Sequence, residues 1–180
     1  MNVALFGGSF DPPHNGHLSI INAALTQLDI DKLIIIPAYL NPFKTSSVAP
    51  AHLRLEWLQK ITTDSRVEIS DFEIKQERPV PSIESVRHFQ EGVQTLYFII
   101  GADNLANLSS WYAYEALDKA VTWVIASRDN LPIDTHYHRL HVDEPISSTQ
   151  LRKRPKRENL PKEIATSITT YYKEYHAKTH

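Results

Sequence analysis

Short apolar runs recur along the chain, and none of them shows a clear alternation of apolar and polar residues. Continuous apolar runs of this length are typical of strands that are covered on both faces, as in a parallel sheet. The runs predict strands at residues 3–6, 33–36, 96–100 and 121–125, with a shorter one at Val67–Ile69.

Between these runs, apolar residues recur at the three- and four-residue spacing of a helix. The sets are Leu18, Ile21, Leu25 and Leu28; Leu55, Leu58 and Ile61; and, after Pro161, Ile164, Ile168, Tyr171, Tyr172 and Tyr175. Strands and helices therefore alternate. This order predicts an α/β fold with one Rossmann-like open parallel sheet flanked by helices, a C-terminal helical segment, and a single domain over residues 1–180.

Composition narrows the class of protein. Hydrophobic residues make up 42% and charged residues 22%, as in ordinary globular proteins, and the net charge of −2 gives no general attraction to nucleic acid or anionic membranes. The chain has no cysteine, which excludes disulfides and thiolate chemistry. The apolar run at 3–6 is too short for a signal peptide, and no run approaches a membrane span, so we expect a cytoplasmic protein.

Glycines concentrate where the first predicted strand ends. Of the five glycines in the chain, Gly7, Gly8 and Gly16 fall within ten residues. A tight strand-to-helix turn alone could account for them. However, His14 and His17 lie three apart at the start of the next helix, with His14 or Asn15 as the residue that precedes its first turn.

A helix start with free N–H groups favours a phosphate, and glycines let the backbone approach it closely. The segment matches neither GxxxxGK[ST] nor GxGxxG, so the phosphate loops of those two classes are excluded. A nearby phosphate should favour the charged form of each imidazole. We therefore predict that His14 and His17 clamp a polyphosphate.

The segment GGSFDPPHNGHL resembles the HxGH signature of the adenylyl- and cytidylyltransferase superfamily, and its lead-in is similar to that of the bacterial nicotinate mononucleotide adenylyltransferases. The resemblance implies that His14 and His17 contact the phosphates of ATP. It also implies that the backbone at Ser9 and Phe10 faces both nucleotides, and that Gly8 lies in the ATP site.

A second segment, ISSTQLR at 146–152, places hydroxyls before a helical stretch and an arginine one turn later. By itself this is also the pattern of a serine-capped helix. It resembles the ISSTxxR motif of the same superfamily, which implies that Ser148, Thr149 and Arg152 hold the triphosphate. The basic residues that follow, from Lys153 to Arg157, are interpreted as solvated surface.

Two residues at the end of the strand at 96–100, Gly101 and Asp103, lie where an open α/β sheet binds ligands. A simple turn would use the same residues. Together with Trp111 they resemble the family's GAD…W block, which implies that Asp103 helps to bind ATP and that Trp111 stacks on the pyridine ring of the acceptor. Core packing is the alternative for Trp111.

Two further segments concern the acceptor. Part of the long loop at 39–50 resembles a family segment that ends in His-Lys. Lys44 occupies the lysine position and could neutralise phosphate charge, but Phe43 replaces the usual histidine. The nicotinate-recognition block of the family aligns with residues 79–82, where Pro81 replaces tyrosine and has no N–H to donate. Ser82 still offers a hydroxyl and an N–H. Preference for the acid over the amide is therefore open.

The histidines at 136, 138 and 141 are interpreted as a strand edge or loop, and no protein metal ligands are predicted. The reaction implied is attack by a mononucleotide 5'-phosphate on the α-phosphorus of ATP, with Mg²⁺ held mainly by the ATP phosphates. His14, His17, Lys44 and Arg152 are the predicted catalytic residues, and no general base is needed because the attacking phosphate is mostly ionised at pH 7.

The expected partners are small molecules, ATP and a pyridine mononucleotide; neither nucleic acid nor a membrane is predicted, and a homo-oligomer is compatible with the sequence. Three alternatives stay open: transfer to nicotinamide mononucleotide, transfer to phosphopantetheine, and a nucleotide sensor without catalysis. Trp111 favours a pyridine nucleotide. The retention of both histidines, Lys44, Asp103 and Arg152 argues against a sensor.

Overall fold

The protein is described by a computed structural model that covers residues 1–127, 132–142 and 148–179. The described residues form six parallel strands in the order β3-β2-β1-β4-β5-β6. Their bounds are Asn2–Gly8 for β1, Lys32–Pro37 for β2, Val67–Ile69 for β3, Thr95–Gly101 for β4, Thr122–Ser127 for β5 and His138–His141 for β6. The predicted parallel sheet is confirmed, and the histidine-rich segment forms its edge strand.

Seven α-helices flank this sheet within the described residues. They are α1 at Asn15–Gln27, α2 at Ala51–Ile61, α3 at Phe72–Lys75, α4 at Ser82–Phe89, α5 at Tyr114–Ala120, α6 at Ser148–Lys153 and α7 at Ala165–Thr179. A 3₁₀ helix spans Ala102–Ser110 after β4. The C-terminal helix begins later than Pro161, because the chain first makes a turn in which the N–H of Ile164 bonds to the carbonyl of Pro161 at 3.1 Å.

The central strands are apolar along their whole length because both faces of the sheet are covered. One face buries residues such as Phe6 and Ile99 beneath α1, and the other buries Leu5 and Phe98 together with residues of α4 and α5. A third cluster joins Trp57 of α2 to Tyr172 of α7. Within the described ranges no helix is long and apolar enough to cross a membrane.

The strand order creates the crevice that holds the candidate site. The chain passes from β1 to β2 and β3 in one direction and then returns to β4 on the other side of β1. In open parallel sheets, ligands bind at the carboxyl ends of the two strands where the order reverses. Here those ends carry Gly7–Gly8 and Gly101, which are the two predicted glycine turns.

Candidate active site

The turn after β1 brings its backbone to the crevice by burying a large side chain. Phe10 has a positive φ of 47° and is 1% exposed, and its ring packs edge-on against Phe6 at 5.4 Å. A β-carbon on Gly8 would lie 3.2 Å from the Phe10 ring, so a side chain at that position would press on it. With its ring buried, Phe10 presents mainly backbone to the crevice.

The two predicted histidines lie against each other at the start of α1. Their rings stack at 3.8 Å between centroids, and the N–H of His14, which precedes the helix, donates to Nδ1 of His17 at 3.2 Å. Because Nδ1 of His17 accepts this bond, a neutral His17 carries its proton on Nε2. His14 Nδ1 is buried without a hydrogen-bond partner.

Burial sets the charge of this pair in the absence of a ligand. It lowers the pKa of His14 to about 4, and burial together with the nearby His14 holds the pKa of His17 well below its ordinary value. Both imidazoles are therefore neutral at pH 7 when no phosphate is present. A bound phosphate would act in the opposite direction, so a charged clamp in the ATP complex stays a prediction.

The second predicted segment packs directly onto the first. Ser148 Oγ donates to the carbonyl of Pro12 at 3.1 Å, and Arg152 Nη1 donates to the carbonyl of Asp11 at 2.7 Å. Arg152 Nη2 also bonds to Thr149 Oγ1 at 3.1 Å. In these bonds Ser148 does not cap a helix but joins α6 to the turn after β1. Ile146 and Ser147 lie outside the described residues.

Lys44 reaches the same place from the loop at 39–50. Its Nζ donates to Ser9 Oγ at 3.2 Å. Burial lowers the pKa of Lys44, and the positive charge of Arg152 lowers it further. Two cations that lie close enough to repel each other are stabilised when an anion enters between them. The predicted residues of the two motifs and Lys44 therefore lie around one positively charged region of the crevice.

The turn after β4 places Gly101 directly against the side chain of Asp103. A β-carbon on Gly101 would lie 2.5 Å from Asp103 Oδ1, so a side chain at that position would displace this carboxylate. Asn104 Nδ2 donates to Asp103 Oδ1 and to the carbonyl of Gly101, both at 3.3 Å. The carboxylate of Asp103 is thereby held at the carboxyl end of the sheet, beside the crevice.

Trp111 follows the 3₁₀ helix and is partly buried. Its ring packs edge-on against Phe98 and Trp123, at 6.4 and 6.2 Å between centroids, and on the loop side it meets Phe43 at 6.2 Å. One side of Trp111 therefore belongs to the core, and stacking of its ring on the pyridine ring of an acceptor stays a prediction. Ser82 is the first residue of α4, and its neighbour Ile83 is buried in the same apolar cluster as Trp111.

Known proteins match this arrangement along nearly the whole chain. The sequence pattern of the cytidylyltransferase-like family matches residues 5–154. A relative from Sulfurimonas denitrificans, named "Probable nicotinate-nucleotide adenylyltransferase", is 51% identical over 98% of both chains. A relative of the same name from Campylobacter fetus is 48% identical over 99% of this chain and 100% of its own.

The chain belongs to the cytidylyltransferase-like family and, within it, to the group of the nicotinate-nucleotide adenylyltransferases. The fold agrees with solved structures. The Plasmodium falciparum nicotinic acid mononucleotide adenylyltransferase complexed with NaAD aligns with a TM-score of 0.71 over 97% of this chain and 95% of its own, at 20% identity. A second structure of that protein, complexed with APC, aligns with a TM-score of 0.68.

Arg54 is a buried residue beside this site that was not identified from the sequence. Arg54 of α2 is 0% exposed and donates to three carbonyls, those of Ser9 at 2.5 Å, Tyr39 at 2.9 Å and Ala49 at 3.0 Å. Burial lowers the pKa of Arg54, which the carboxylate of Asp11 opposes. The arginine joins the turn after β1 to both ends of the loop that carries Lys44.

Asp11 completes the same network from the HxGH segment. Its carboxylate accepts hydrogen bonds from the N–H groups of Val48 and Ala49, at 2.9 and 3.0 Å, and from the hydroxyl of Tyr172 at 2.5 Å. Burial and the Asp11 charge raise the pKa of Tyr172, which keeps that hydroxyl protonated. Asp11 could have been identified from the sequence, because it is an acidic residue inside the motif. Arg54 lies among the apolar residues of a helix, and no local signal indicates its role.

Proposed function

We propose that this chain transfers AMP from ATP to nicotinate mononucleotide, giving deamido-NAD and pyrophosphate, as a step in NAD biosynthesis. The observation that carries the proposal is the meeting of the two phosphate-binding segments: Ser148 and Arg152 bond to Pro12 and Asp11 at 3.1 and 2.7 Å, beside the stacked histidines. The relatives that are named nicotinate-nucleotide adenylyltransferases support the same reaction.

The reaction needs positioning and charge neutralisation more than proton transfer. The acceptor's 5'-phosphate has a second pKa near 6 and is already mostly ionised at pH 7. The protein must therefore align that phosphate with the α-phosphorus of ATP and stabilise the charge that moves onto the departing pyrophosphate. His17 donates through its Nε2–H, while Lys44 and Arg152 supply fixed positive charge and His14 gains charge as phosphate approaches.

The remaining site residues are assigned to the two nucleotides. Gly8, Gly101, Asp103, Ser148 and Thr149 bind ATP, and the backbone at Ser9 and Phe10 faces both substrates. Mg²⁺ is assigned to the triphosphate of ATP, because Mg²⁺ usually binds through substrate phosphates and keeps several waters. Bound there, Mg²⁺ would neutralise phosphate charge.

Acceptor choice depends on Trp111 and Ser82. The partly exposed side of the Trp111 ring offers a stacking surface for a pyridine ring, which phosphopantetheine lacks. The N–H at the start of α4 and the hydroxyl of Ser82 are suited to a carboxylate, since the first N–H groups of a helix have no partner within it. Pro81 supplies no N–H, so the acid is recognised with one donor fewer than in the family pattern.

Domain extent, location and assembly complete the proposal. Residues 1–180 act as a single nucleotidyltransferase domain in the cytoplasm, on small-molecule substrates and not on nucleic acid. A homo-oligomer is compatible with this function.

A parallel assay with three acceptors tests the reaction. Purified protein with ATP and Mg²⁺ is given nicotinate mononucleotide, nicotinamide mononucleotide or phosphopantetheine, and both pyrophosphate and the adenylylated product are measured. We expect the highest kcat/KM with nicotinate mononucleotide. A higher value with either other acceptor would reassign the substrate, and no product with any acceptor, in a protein that still binds ATP, would identify a sensor.

A further inference from the structure

Phe43 is a large apolar residue that lies mostly exposed at the surface. It is 67% exposed and lies in a loop whose other residues are mostly small or polar. Burial of a phenylalanine side chain stabilises a folded protein, and Phe43 loses most of that stabilisation because its ring is exposed. A single exposed aromatic residue is common, so the inference depends on what the ring faces.

The ring of Phe43 is placed by a defined turn. The N–H of Phe43 bonds to Asn41 Oδ1, and the N–H of Lys44 bonds to the carbonyl of Asn41, both at 2.9 Å. Pro42 between them restricts φ and stiffens the turn. Lys44 then reaches Ser9 Oγ at 3.2 Å, while Phe43 faces Trp111. Adjacent residues of one turn therefore face the phosphate space and the aromatic surface.

The distance between the two rings suits a planar guest after a small movement. The centroids of Phe43 and Trp111 are 6.2 Å apart, and the planes are tilted by 42°. A flat ring in van der Waals contact with a ring on each side needs about 7 Å between the outer two, or twice the usual carbon contact distance. Because the Phe43 side chain is 67% exposed, its ring can rotate outward by that difference while the turn keeps its hydrogen bonds and the core stays closed.

We propose that Phe43 is a specificity-determining residue that forms the second wall of a slot for the pyridine ring of the acceptor, opposite Trp111. The proposal rests on the proposed function. The ring nitrogen of a pyridine mononucleotide carries the ribose and a positive charge, and aromatic faces attract cations as well as flat rings. A flexible aliphatic acceptor such as phosphopantetheine would gain neither contact.

The primary test replaces Phe43 by alanine and by tyrosine. We expect F43A to raise KM for nicotinate mononucleotide about tenfold, with kcat and KM for ATP within about twofold of the unmodified protein, because the ring holds the acceptor without touching the reacting phosphates. F43Y keeps the aromatic face and should stay within about threefold. Tyr112→Ala is the matched control, since Tyr112 is 72% exposed and adjacent to Trp111 in sequence.

A binding experiment separates ring capture from phosphate binding. Calorimetry measures the affinity of F43A for nicotinate mononucleotide and for ribose 5-phosphate, which has the same phosphate but no pyridine ring. We expect the first affinity to fall about tenfold and the second to stay within about twofold. Equal losses would mean that Phe43 acts only by placing Lys44, and would overturn the slot.

Two other results would also overturn it: unchanged KM in F43A, or equal increases in F43A and Tyr112→Ala. Failure of the proposed function can be told apart from failure of the slot. If the unmodified protein binds nicotinate mononucleotide but forms no deamido-NAD, the proposed reaction is rejected. The binding comparison would still show whether Phe43 contacts the pyridine ring.

Discussion

The two sides of the crevice are built in different ways. On the phosphate side, buried and partly buried hydrogen bonds join four separate segments. Arg54 donates to the carbonyls of Ser9, Tyr39 and Ala49, and Asp11 binds the loop and α7. On the acceptor side, the candidate contacts are the partly buried ring of Trp111, the exposed ring of Phe43 and the first residue of a helix.

The difference follows from what each side must do. Phosphoryl transfer requires the reacting groups to be held in line, and misplacement by about 1 Å can cost two orders of magnitude in rate, so rigidity is useful there. Capture of a flat ring between aromatic faces tolerates small displacements. We therefore expect changes on the phosphate side to affect stability and kcat, and changes on the acceptor side to affect KM.

The largest expected effect is on stability, in the variant Arg54→Met. Methionine fills part of the space but leaves three buried carbonyls without a donor and Asp11 without its nearby cation. Breaking a buried charged network in this way costs about 3 to 5 kcal/mol. Urea denaturation at pH 7.5 measures the free energy of unfolding.

The control for this variant is Arg66→Met, which removes a surface arginine that is paired with Asp64. It should change the free energy of unfolding by less than about 1 kcal/mol, as should F43A on the acceptor side. If F43A destabilised the protein as much as Arg54→Met, the two sides would not differ as described.

The next effect is on turnover, in His17→Ala. Loss of one preorganised donor to phosphate oxygens typically lowers kcat by about 10²- to 10³-fold. We expect KM for nicotinate mononucleotide to change by less than about threefold, because the contact should strengthen as charge moves onto the phosphates. Steady-state kinetics with both substrates measures the split. His52→Ala, on the exposed surface of α2, is the control, and near-normal turnover of His17→Ala would reject the assigned role.

The sequence alone predicts strands β1 to β5 and the start of α1 because these depend on local signals, whereas the segment of β6 stayed open between a strand edge and a loop. Continuous apolar runs identified β1, β2, β4 and β5, and the glycine and histidine spacing identified the start of α1. The partners of Arg54 and Asp11 lie 15 to 161 residues away, apart from Ala49, which is 5 residues from Arg54, and nothing in their own neighbourhood indicates them. In the sequence Phe43 is only a departure from the family pattern, because its contact with the ring of Trp111 is created by the fold.

A third prediction tests the helices beneath the acceptor side. Glu73 of α3 is 8% exposed and accepts a hydrogen bond from Ser85 of α4 at 2.7 Å. Burial raises the pKa of Glu73 from 4.5 to about 7, against the opposing effect of that bond. Between these two pH values the folded protein holds a proton that the unfolded chain has released, so the free energy of unfolding falls as pH rises.

Glu73→Gln removes this titration and keeps an acceptor for Ser85. As pH rises from about 5 to 8, the free energy of unfolding of the variant should increase relative to that of the unmodified protein by on the order of 2 kcal/mol. Denaturation at several pH values measures that difference. The control Glu68→Gln, which removes an exposed carboxylate paired with Lys32, should show no such gain, and a difference that is constant with pH would contradict the prediction for Glu73.

The smallest expected effect sharpens the comparison within the phosphate side. Thr149 Oγ1 accepts a bond from Arg152 at 3.1 Å at the exposed edge of the network, whereas the bond from Arg152 to the carbonyl of Asp11 is partly buried. Thr149→Val removes only the exposed contact, so kcat/KM for ATP should fall about twofold to fivefold with no change in stability beyond about 0.5 kcal/mol. Thr166→Val is a matched control, because Thr166 accepts a similar bond from Arg157 outside the site, at 2.8 Å. If the two variants had equal activity, the Thr149 hydroxyl would contribute nothing to ATP binding, and Arg152 would be positioned by the turn after β1 alone.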